Sequence, residues 1–287
     1  YFAHFLSTIF IFTLLFIFMK ITSIQNDLFR VPLPTVLSDS THGKISYFEL
    51  ITTRLRCDGG EEGLGYTYTV GTGGSAIRAL IEYDLVPILI GSDPREIEKI
   101  WKRMWWHLHY VGRGGIASFA ISAIDIALWD LKSRVANEPL WKFLGGHQNR
   151  VAAYAGGIDL QFTLEALCEQ TRKFINLGFH SIKMKVGQPH LSEDIARVSK
   201  VRDILGPGIP LMLDANMQWT VDEAIRAAKA LSDFDIFWLE EPTIPDDIEG
   251  HARISREGGL PIATGENMHT LYEFQQMITR GGISFPE

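Results

Sequence analysis

The sequence predicts an α/β protein in two parts, an α+β domain followed by a (β/α)8-type TIM barrel of which only about six strands are present. Its 287 residues are enough for more than one core. After residue 146, short apolar runs alternate with helical stretches, which is typical of a parallel sheet with helical crossovers. Charged residues close successive runs at nearly constant spacing, which favours a barrel over a doubly wound sheet.

Residues 1–18 are almost wholly apolar and form a separate leader. They could be a membrane anchor, but they lack the basic start and small-residue cleavage site of a secretory signal. A non-native extension ahead of Met19 is the favoured interpretation, because residues 19–33 begin an alternating strand as a fresh amino terminus would.

Residues 19–147 are predicted to form the α+β domain. Strand-like alternation covers residues 20–33, 44–57 and 66–70, with a glycine-rich turn before the last of these. Helical patterns cover residues 75–86 and the segment opened by Ser92, Asp93 and Pro94, where an aspartate precedes a proline suited to a first turn. The stretch IASFAISAIDIALWDLKSRVA is apolar nearly all round, so we expect a buried helix.

Residues 148–287 are predicted to form the partial barrel. Its six apolar runs are VAAYAG, SIKMKV, PLMLDA, IFWLEE, PIATGE and GGISF. Lys185, Asp214, Glu240 and Glu266 lie at or near successive strand ends, spaced by 29, 26 and 26 residues. In a (β/α)8 barrel the carboxyl ends of the strands form one rim, so these four side chains should converge.

Two lysines share one face of the run SIKMKV. Side chains alternate along a strand, so Lys183 and Lys185 point away from the apolar residues between and beside them. At a separation of roughly 6.6 Å their repulsion is worth about 2.5 kcal/mol, which would lower one lysine pKa towards neutrality and make that lysine a base. Taken alone, however, the pair is more typical of a solvated strand end.

Three carboxylates on the following strand ends change that interpretation. Asp214, Glu240 and Glu266 would supply oxygen ligands without histidine or cysteine, a set that suits Mg²⁺. Without a metal they would repel one another and raise their own pKa values. The alternative is that these acids are ordinary surface residues in loops. That is common for a single acid but improbable for three acids at a fixed repeat.

The motifs KMK, DAN, LEEP and TGEN, in this order and spacing, resemble the enolase superfamily, and within it the mandelate racemase-type branch of the mandelate racemase/muconate lactonizing enzyme-like proteins. The buried helix and the following PLWKFLGG resemble the same family, so the likeness extends from Met19 to Glu287. It implies that residues 19–147 are a capping domain over the barrel.

The resemblance also implies roles for the strand-end residues. Asp214, Glu240 and Glu266 would hold Mg²⁺. Lys185 would be the catalytic base that removes the α-proton of a carboxylate substrate through an enediolate, and Lys183 would lower the pKa of that base. Asn216 would contact substrate or the lysines, and Glu241 would support the metal ligands.

Mandelate racemase-like enzymes also use a histidine on the seventh strand, paired with an aspartate near the end of the sixth. The sequence ends before either, so we expect a truncated chain and an incomplete enzyme. A truncated relative that binds only a metal or a partner, without catalysis, is therefore an alternative. The complete protein is expected to be a homo-oligomer.

Substrate specificity in this family depends on loops of the capping domain. Here these are residues 35–44, with His42 as the histidine expected to touch substrate, and residues 65–74, with Tyr68. Both are rich in glycine and polar groups, which suits a hydroxylated substrate. With KMK, they most resemble acid-sugar dehydratases of the galactarate or talarate type, which eliminate water; a racemase or epimerase is the alternative.

Composition narrows the remaining function classes. The formal net charge of −7 argues against nucleic acid as the partner, and a small carboxylate such as an acid sugar is expected instead. The two cysteines, Cys57 and Cys168, form no disulfide framework, so a reducing cytoplasm is expected.

Overall fold

The computed structural model describes residues 19–287, which divide into two compact units. The first unit includes the chain through Pro32 and Tyr47–Arg150, and the second includes Leu33–Ser46 and Val151–Glu287. The predicted leader, residues 1–18, lies outside the described residues. Within residues 19–287, every helix is too short or too polar to cross a bilayer.

Three strands form a sheet in chain order: β1 (Ile21–Asp39), β2 (Gly43–Cys57) and β3 (Glu62–Thr69). Strands β2 and β3 are antiparallel, and their register places Glu49 opposite Thr69. The strands predicted over residues 20–33, 44–57 and 66–70 are therefore confirmed, and each is longer than expected.

A long helix, α4 (Ile116–Val135), packs on β3. Gly63 and Gly65 face it, and a Cβ at either position would collide with a backbone carbonyl of the helix, that of Ala127 or of Ala123. The close approach of helix and strand thus requires glycine. The prediction that this helix is buried is confirmed.

The other helical elements of the first unit are short except for one. They are α1 (Gly74–Ala79), a π-helical turn (Leu80–Leu85), α2 (Val86–Leu89), α3 (Ile97–Leu108) and α5 (Leu140–Phe143). The expectation that Ser92, Asp93 and Pro94 open a helix is wrong by several residues. The Asp93 carboxylate accepts hydrogen bonds from the backbone N–H and the guanidinium of Arg95, which fixes a turn, and α3 begins only at Ile97.

The second unit contains a six-stranded parallel sheet whose strand order follows the chain. Its strands are β4 (Ala155–Gly156), β5 (Ile182–Lys185), β6 (Leu211–Asp214), β7 (Ile236–Glu240), β8 (Ile262–Thr264) and β9 (Phe285–Pro286). Its helices are α6 (Leu164–Asn176), α7 (Leu191–Leu205), α8 (Val221–Leu231), α9 (Ile248–Gly258) and α10 (Leu271–Arg280). The predicted parallel sheet with helical crossovers is confirmed.

The register of this sheet places charged residues side by side. Lys185 is opposite Asp214, and Asp214 is opposite Glu240, so three strands end in a charged residue at one level. Glu266 differs from the expectation that it closes a strand: β8 ends at Thr264, and Glu266 lies two residues beyond. The apolar residues of β5 point the other way into the core formed with the helices.

Candidate active site at the strand ends

Both lysines of β5 pair with buried carboxylates of the next two strands. Lys183 Nζ bonds to Glu240 and lies 3.2 Å from Asp214 Oδ2, while Lys185 Nζ lies 2.6 Å from the same Asp214 oxygen. The side chains of Asp214 and Glu240 are 0% and 1% exposed. Four charged groups from three neighbouring strands therefore meet in one cluster. It contains three of the four strand-end residues whose spacing predicted convergence, and Glu266 is not among its ion pairs.

The electrostatics of this cluster determine the charge of Lys183. Burial alone would lower the pKa of Lys183, but the carboxylates of Asp214 and Glu240 outweigh it and raise that pKa above its usual value. Lys183 is therefore not the lysine of the pair that could serve as a neutral base, because the acids lie close to its ammonium group and favour the charged form. Lys183 remains a cation.

The two carboxylates differ in their response to burial. Burial acts to raise the pKa of Asp214, but the ammonium groups of Lys185 and Lys183 outweigh it and lower that pKa. Glu240 has its pKa raised to about 9 by burial and by the charge of Asp214. Asp214 is therefore the fixed anion of the cluster, and Glu240 is the acid that takes up a proton more readily when its pairing with Lys183 is lost.

Asn216 connects the cluster to Glu266. It has a left-handed backbone, with a φ of 42°, which asparagine tolerates better than most residues. Its N–H donates to Asp214 Oδ1 at 3.0 Å, and its side-chain Nδ2 is 3.5 Å from Glu266 Oε1. The Oδ1 atom of Asn216 is buried and has no hydrogen-bond partner, so it is an acceptor that a ligand could satisfy.

Glu241 lies behind these residues and is fully buried. Its backbone φ is 40°, another left-handed residue at a strand end. The amide Nδ2 of Asn267 donates to both carboxylate oxygens, at 2.8 and 3.0 Å. Burial raises the pKa of Glu241 to about 8. The hydrogen bonds to this carboxyl therefore come from Asn267 and not from water.

The tip of the β1–β2 hairpin, residues 33–46, is part of the second unit and contacts this edge of its sheet. Ser40 Oγ donates to the carbonyl of Ala215 at 2.9 Å, and the Thr41 hydroxyl donates to the carbonyl of Asn216. His42 follows directly, with its Nδ1 2.9 Å from Asp39 Oδ2. Asp39 thereby orients the imidazole of the predicted substrate contact.

Tyr68 belongs to the first unit and lies on the exposed face of β3. Its ring is 56% exposed and packs edge to face with Phe48 at 5.8 Å. Its proposed contact with substrate remains a prediction.

Three residues of the cluster were missed in the sequence. Trp238 Nε1 donates to Glu240 Oε2 at 3.1 Å, and the Tyr154 ring lies 5.6 Å from Lys183 Nζ. Asp159 Oδ1 accepts the backbone N–H of Lys185 at 3.0 Å. The period of two would have placed Trp238 on the face of Glu240, whereas Tyr154 and Asp159 carry no such signal.

The chemistry of the donors fits a hard divalent cation. Asp214, Glu240 and Glu266 offer carboxylate oxygens, and Asn216 adds an unpartnered amide oxygen. As the side chains stand, no three acids, histidines or cysteines among residues 19–287 are grouped closely enough to hold a metal. Lys183 instead bonds to both Asp214 and Glu240, so its ammonium neutralises the oxygens that a metal would use.

Two family models match nearly the whole described chain. Residues 21–145 match the mandelate racemase / muconate lactonizing enzyme N-terminal domain, and residues 166–286 match the enolase C-terminal domain-like family. These are the two parts of an enolase-superfamily fold, a capping domain and a parallel α/β barrel. The chain belongs to the mandelate racemase/muconate lactonizing enzyme family of that superfamily.

Individual relatives are enzymes of several reaction classes. A 3,6-anhydro-alpha-L-galactonate cycloisomerase of Streptomyces coelicolor is 56% identical over 93% of this chain and 74% of its own. A racemase from Streptomyces coelicolor, solved with bound magnesium, has a TM-score of 0.91, 56% identity and the same two coverages. The L-talarate/galactarate dehydratase of Salmonella typhimurium, solved with Mg and L-lyxarohydroxamate, has a TM-score of 0.89 at 36% identity, over 94% of this chain and 71% of its own.

Proposed function

We propose that this protein is a magnesium-dependent enzyme that removes the α-proton of an acid-sugar carboxylate and then expels the oxygen at the β-carbon. The observation that carries the proposal is the cluster at the ends of β5, β6 and β7, where Lys183, Lys185, Asp214 and Glu240 meet. The magnesium-bound relatives and their acid-sugar names support it.

Asp214, Glu240 and Glu266 are the residues that would hold magnesium in this site. When bound, the ion would supply a Lewis acid for the carboxylate of the substrate. The unpartnered Oδ1 of Asn216 is proposed to accept a hydrogen bond from a substrate hydroxyl. His42, oriented by Asp39, is proposed to contact the more distant part of the sugar.

The two lysines have different roles in this proposal. Lys183 keeps its proton because the neighbouring acids raise its pKa, so its charge stabilises the negative charge that develops on the substrate. Lys185, at the very end of β5, first gives its ammonium proton to solvent, and the neutral amine then takes the α-proton on Nζ. The electron pair left on the α-carbon forms the enediolate. These electrons then form the double bond between the α- and β-carbons, and the bond from the β-carbon to its oxygen breaks.

The same elimination accounts for both a dehydratase and a cycloisomerase. In an open-chain aldarate the β-oxygen is a hydroxyl, which takes up a proton and leaves as water. In a 3,6-anhydro aldonate the β-oxygen at C3 belongs to a ring ether, so the same bond cleavage opens the ring without losing an atom. We propose the second substrate type on the 56% identity to the cycloisomerase, with dehydration of an aldarate as the other candidate.

Exchange of the substrate α-proton with solvent deuterium tests the common step. Lys185→Ala is expected to abolish this exchange, whereas Lys200→Ala, on the exposed face of α7, is expected to leave it unchanged. Undiminished exchange in Lys185→Ala would refute the assignment of the base.

Product analysis distinguishes the reaction types. A 3,6-anhydro aldonate should give a 2-keto acid of unchanged mass, whereas an aldarate should give one lighter by one water. A racemase would instead return an epimer without any keto group, which would contradict the proposed elimination.

A further inference from the structure

The backbone N–H of Lys185 is held by a side chain and not by the neighbouring strand. The β4–β5 ladder ends where Gly156 pairs with Lys183, and the N–H of Gly157 then donates to the carbonyl of Lys183 at 2.9 Å. A continued ladder would present the carbonyl of Gly157 to the N–H of Lys185. The carboxylate of Asp159 takes that place, with Oδ1 3.0 Å from the Lys185 nitrogen.

Asp159 is itself fixed from two helices. It is 1% exposed, and Gln170 of α6 donates from Nε2 to its Oδ2 at 2.6 Å. Arg197 of α7 donates from Nη2 to its backbone carbonyl at 2.9 Å. Gly157 leaves room for this arrangement, because a Cβ there would collide with Asp159 Oδ2. The carboxylate therefore has one orientation, set by residues outside the charged cluster.

Leu160, the residue after Asp159, connects this segment by hydrogen bonds to two loops at the same edge of the sheet. The N–H of Leu160 donates to the carbonyl of Ser38 in the hairpin tip at 3.3 Å. Its carbonyl accepts from Gln188 Nε2, in the loop after β5, at 2.5 Å. A displacement of Asp159 would thus disturb hydrogen bonds at the end of β5 and at the hairpin tip together.

We propose that Asp159 is a positioning residue for Lys185: its hydrogen bond to the Lys185 N–H fixes the point and direction at which the lysine side chain leaves β5. The inference rests on the proposed role of Lys185 as the base. Lys185 Nζ must meet one proton of the substrate, and a misplacement of about 1 Å can cost about 100-fold in rate. Asp159 acts on the rate through the geometry of Lys185 and is not expected to touch substrate.

The test compares two buried aspartates that bind amides of the same strand end. Asp159 binds the N–H of Lys185, whereas Asp194 accepts the N–H groups of Gly187 and Gln188, at 3.1 Å to its Oδ2 in each case. Asp159→Ala is expected to speed hydrogen exchange of the Lys185 amide by at least about 10-fold, because a buried hydrogen bond is lost. Asp194→Ala is expected to leave that amide protected while lowering the melting temperature.

Activity supplies the second measurement. Asp159→Ala is expected to lower kcat by about 10- to 100-fold, with KM changed less than about two-fold. Its loss of kcat should exceed that of Asp194→Ala by at least about 10-fold. Asp159→Asn should restore most of both properties, because its amide oxygen still accepts the Lys185 N–H and Gln170 can rotate its own amide to match. If Asp159→Ala does not fold, Gln170→Ala replaces it, with intermediate losses expected.

The outcomes separate this inference from the proposed function. Unchanged protection of the Lys185 amide in Asp159→Ala, or equal kcat losses in the Asp159→Ala and Asp194→Ala variants, would overturn the positioning role. Failure of the unmodified protein to turn over any acid sugar would instead overturn the proposed function, while the amide measurement would still decide whether Asp159 holds Lys185.

Discussion

Removing the charge of Lys183 should destabilise the metal-free protein, and magnesium should compensate for it. Lys183→Met keeps the length of the side chain and deletes the ammonium that bonds to Asp214 and Glu240. Asp214 retains Lys185 as a partner, at 2.6 Å. Glu240 retains the hydrogen bond from Trp238, at 3.1 Å, but loses the cation.

The magnitude follows from the burial of the pair. Breaking a buried ion pair by removing one partner costs about 3–5 kcal/mol, because the other charge remains desolvated. Burial and the charge of Asp214 already act to raise the pKa of Glu240, and loss of the Lys183 cation would raise it further, so this carboxyl would take up a proton instead of remaining an unpaired anion. The expected loss in the free energy of unfolding is therefore at the lower end, about 3 kcal/mol at neutral pH.

Urea unfolding in EDTA and in excess magnesium measures both halves of this prediction. Added magnesium should stabilise Lys183→Met by about 2.7 kcal/mol at 100-fold excess over the dissociation constant of that variant. At the same concentration it should stabilise the unmodified protein less, because there the Lys183 ammonium competes for the carboxylate oxygens. Lys200→Met, a change of an exposed lysine, is the control and should alter neither quantity. Equal stability of Lys183→Met and the unmodified protein in EDTA, or equal stabilisation of the two by magnesium, would refute the reasoning.

Two further predictions concern stability. Burial lowers the pKa of His251 below its usual 6.5, so the folded state favours neutral imidazole, and stability should be lost as pH falls from about 6.5 towards the lower folded value. His251→Gln should remove that part of the slope in urea unfolding between about pH 7.5 and 5, and identical slopes would count against it. Gly65→Ala should cost about 2 kcal/mol or more, since its Cβ meets a helix carbonyl. Gly156→Ala, whose Cβ would only touch the Tyr154 ring at 3.9 Å, should cost less than about 0.5 kcal/mol by thermal unfolding.

The sequence predicted best those elements whose apolar and charged residues recur at regular spacing. The helix α4 is apolar nearly all round and is buried, and the strands β5, β6 and β7 end where their charged residues predicted. The run VAAYAG shows the limit of an apolar pattern. Only Ala155–Gly156 pairs as a strand, and Val151 is 90% exposed, because strand pairing depends on a neighbour that an isolated run does not specify.

Long-range hydrogen bonds account for most of what the sequence could not predict. The hairpin tip belongs to the second unit because Ser40 and Thr41 donate to carbonyls about 175 positions further along the chain. Such bonds involve the backbone of the partner, so the partner's residue type carries no signal. Asp159 was missed for the same reason, since it binds the N–H of Lys185 and not its side chain.

The charged state of Lys183 has a specific electrostatic cause. The predicted pKa depression counted only the other lysine, at roughly 6.6 Å along the strand. The structure places the ammonium of Lys183 3.2 Å from an oxygen of Asp214 and closer still to Glu240. Since Coulomb energy varies as the inverse of distance, the two acids outweigh the one like charge, and the pKa rises. The predicted convergence of the strand ends already implied that acids would lie near Lys183. Such acids favour the charged form of the lysine and so raise its pKa.

The way each buried acid is neutralised determines where a cation can bind. Asp159 and Asp194 accept backbone N–H groups at the end of β5, and these donors cannot withdraw without breaking the strand end or the loop that follows. Asp214 and Glu240 are neutralised by lysine side chains, whose rotatable stems let the ammonium groups move aside. We therefore expect a divalent cation to replace the lysines at Asp214 and Glu240, whereas at Asp159 and Asp194 it would have to displace fixed donors. We thus expect magnesium to alter the stability effect of Lys183→Met and to leave that of Asp194→Asn unchanged.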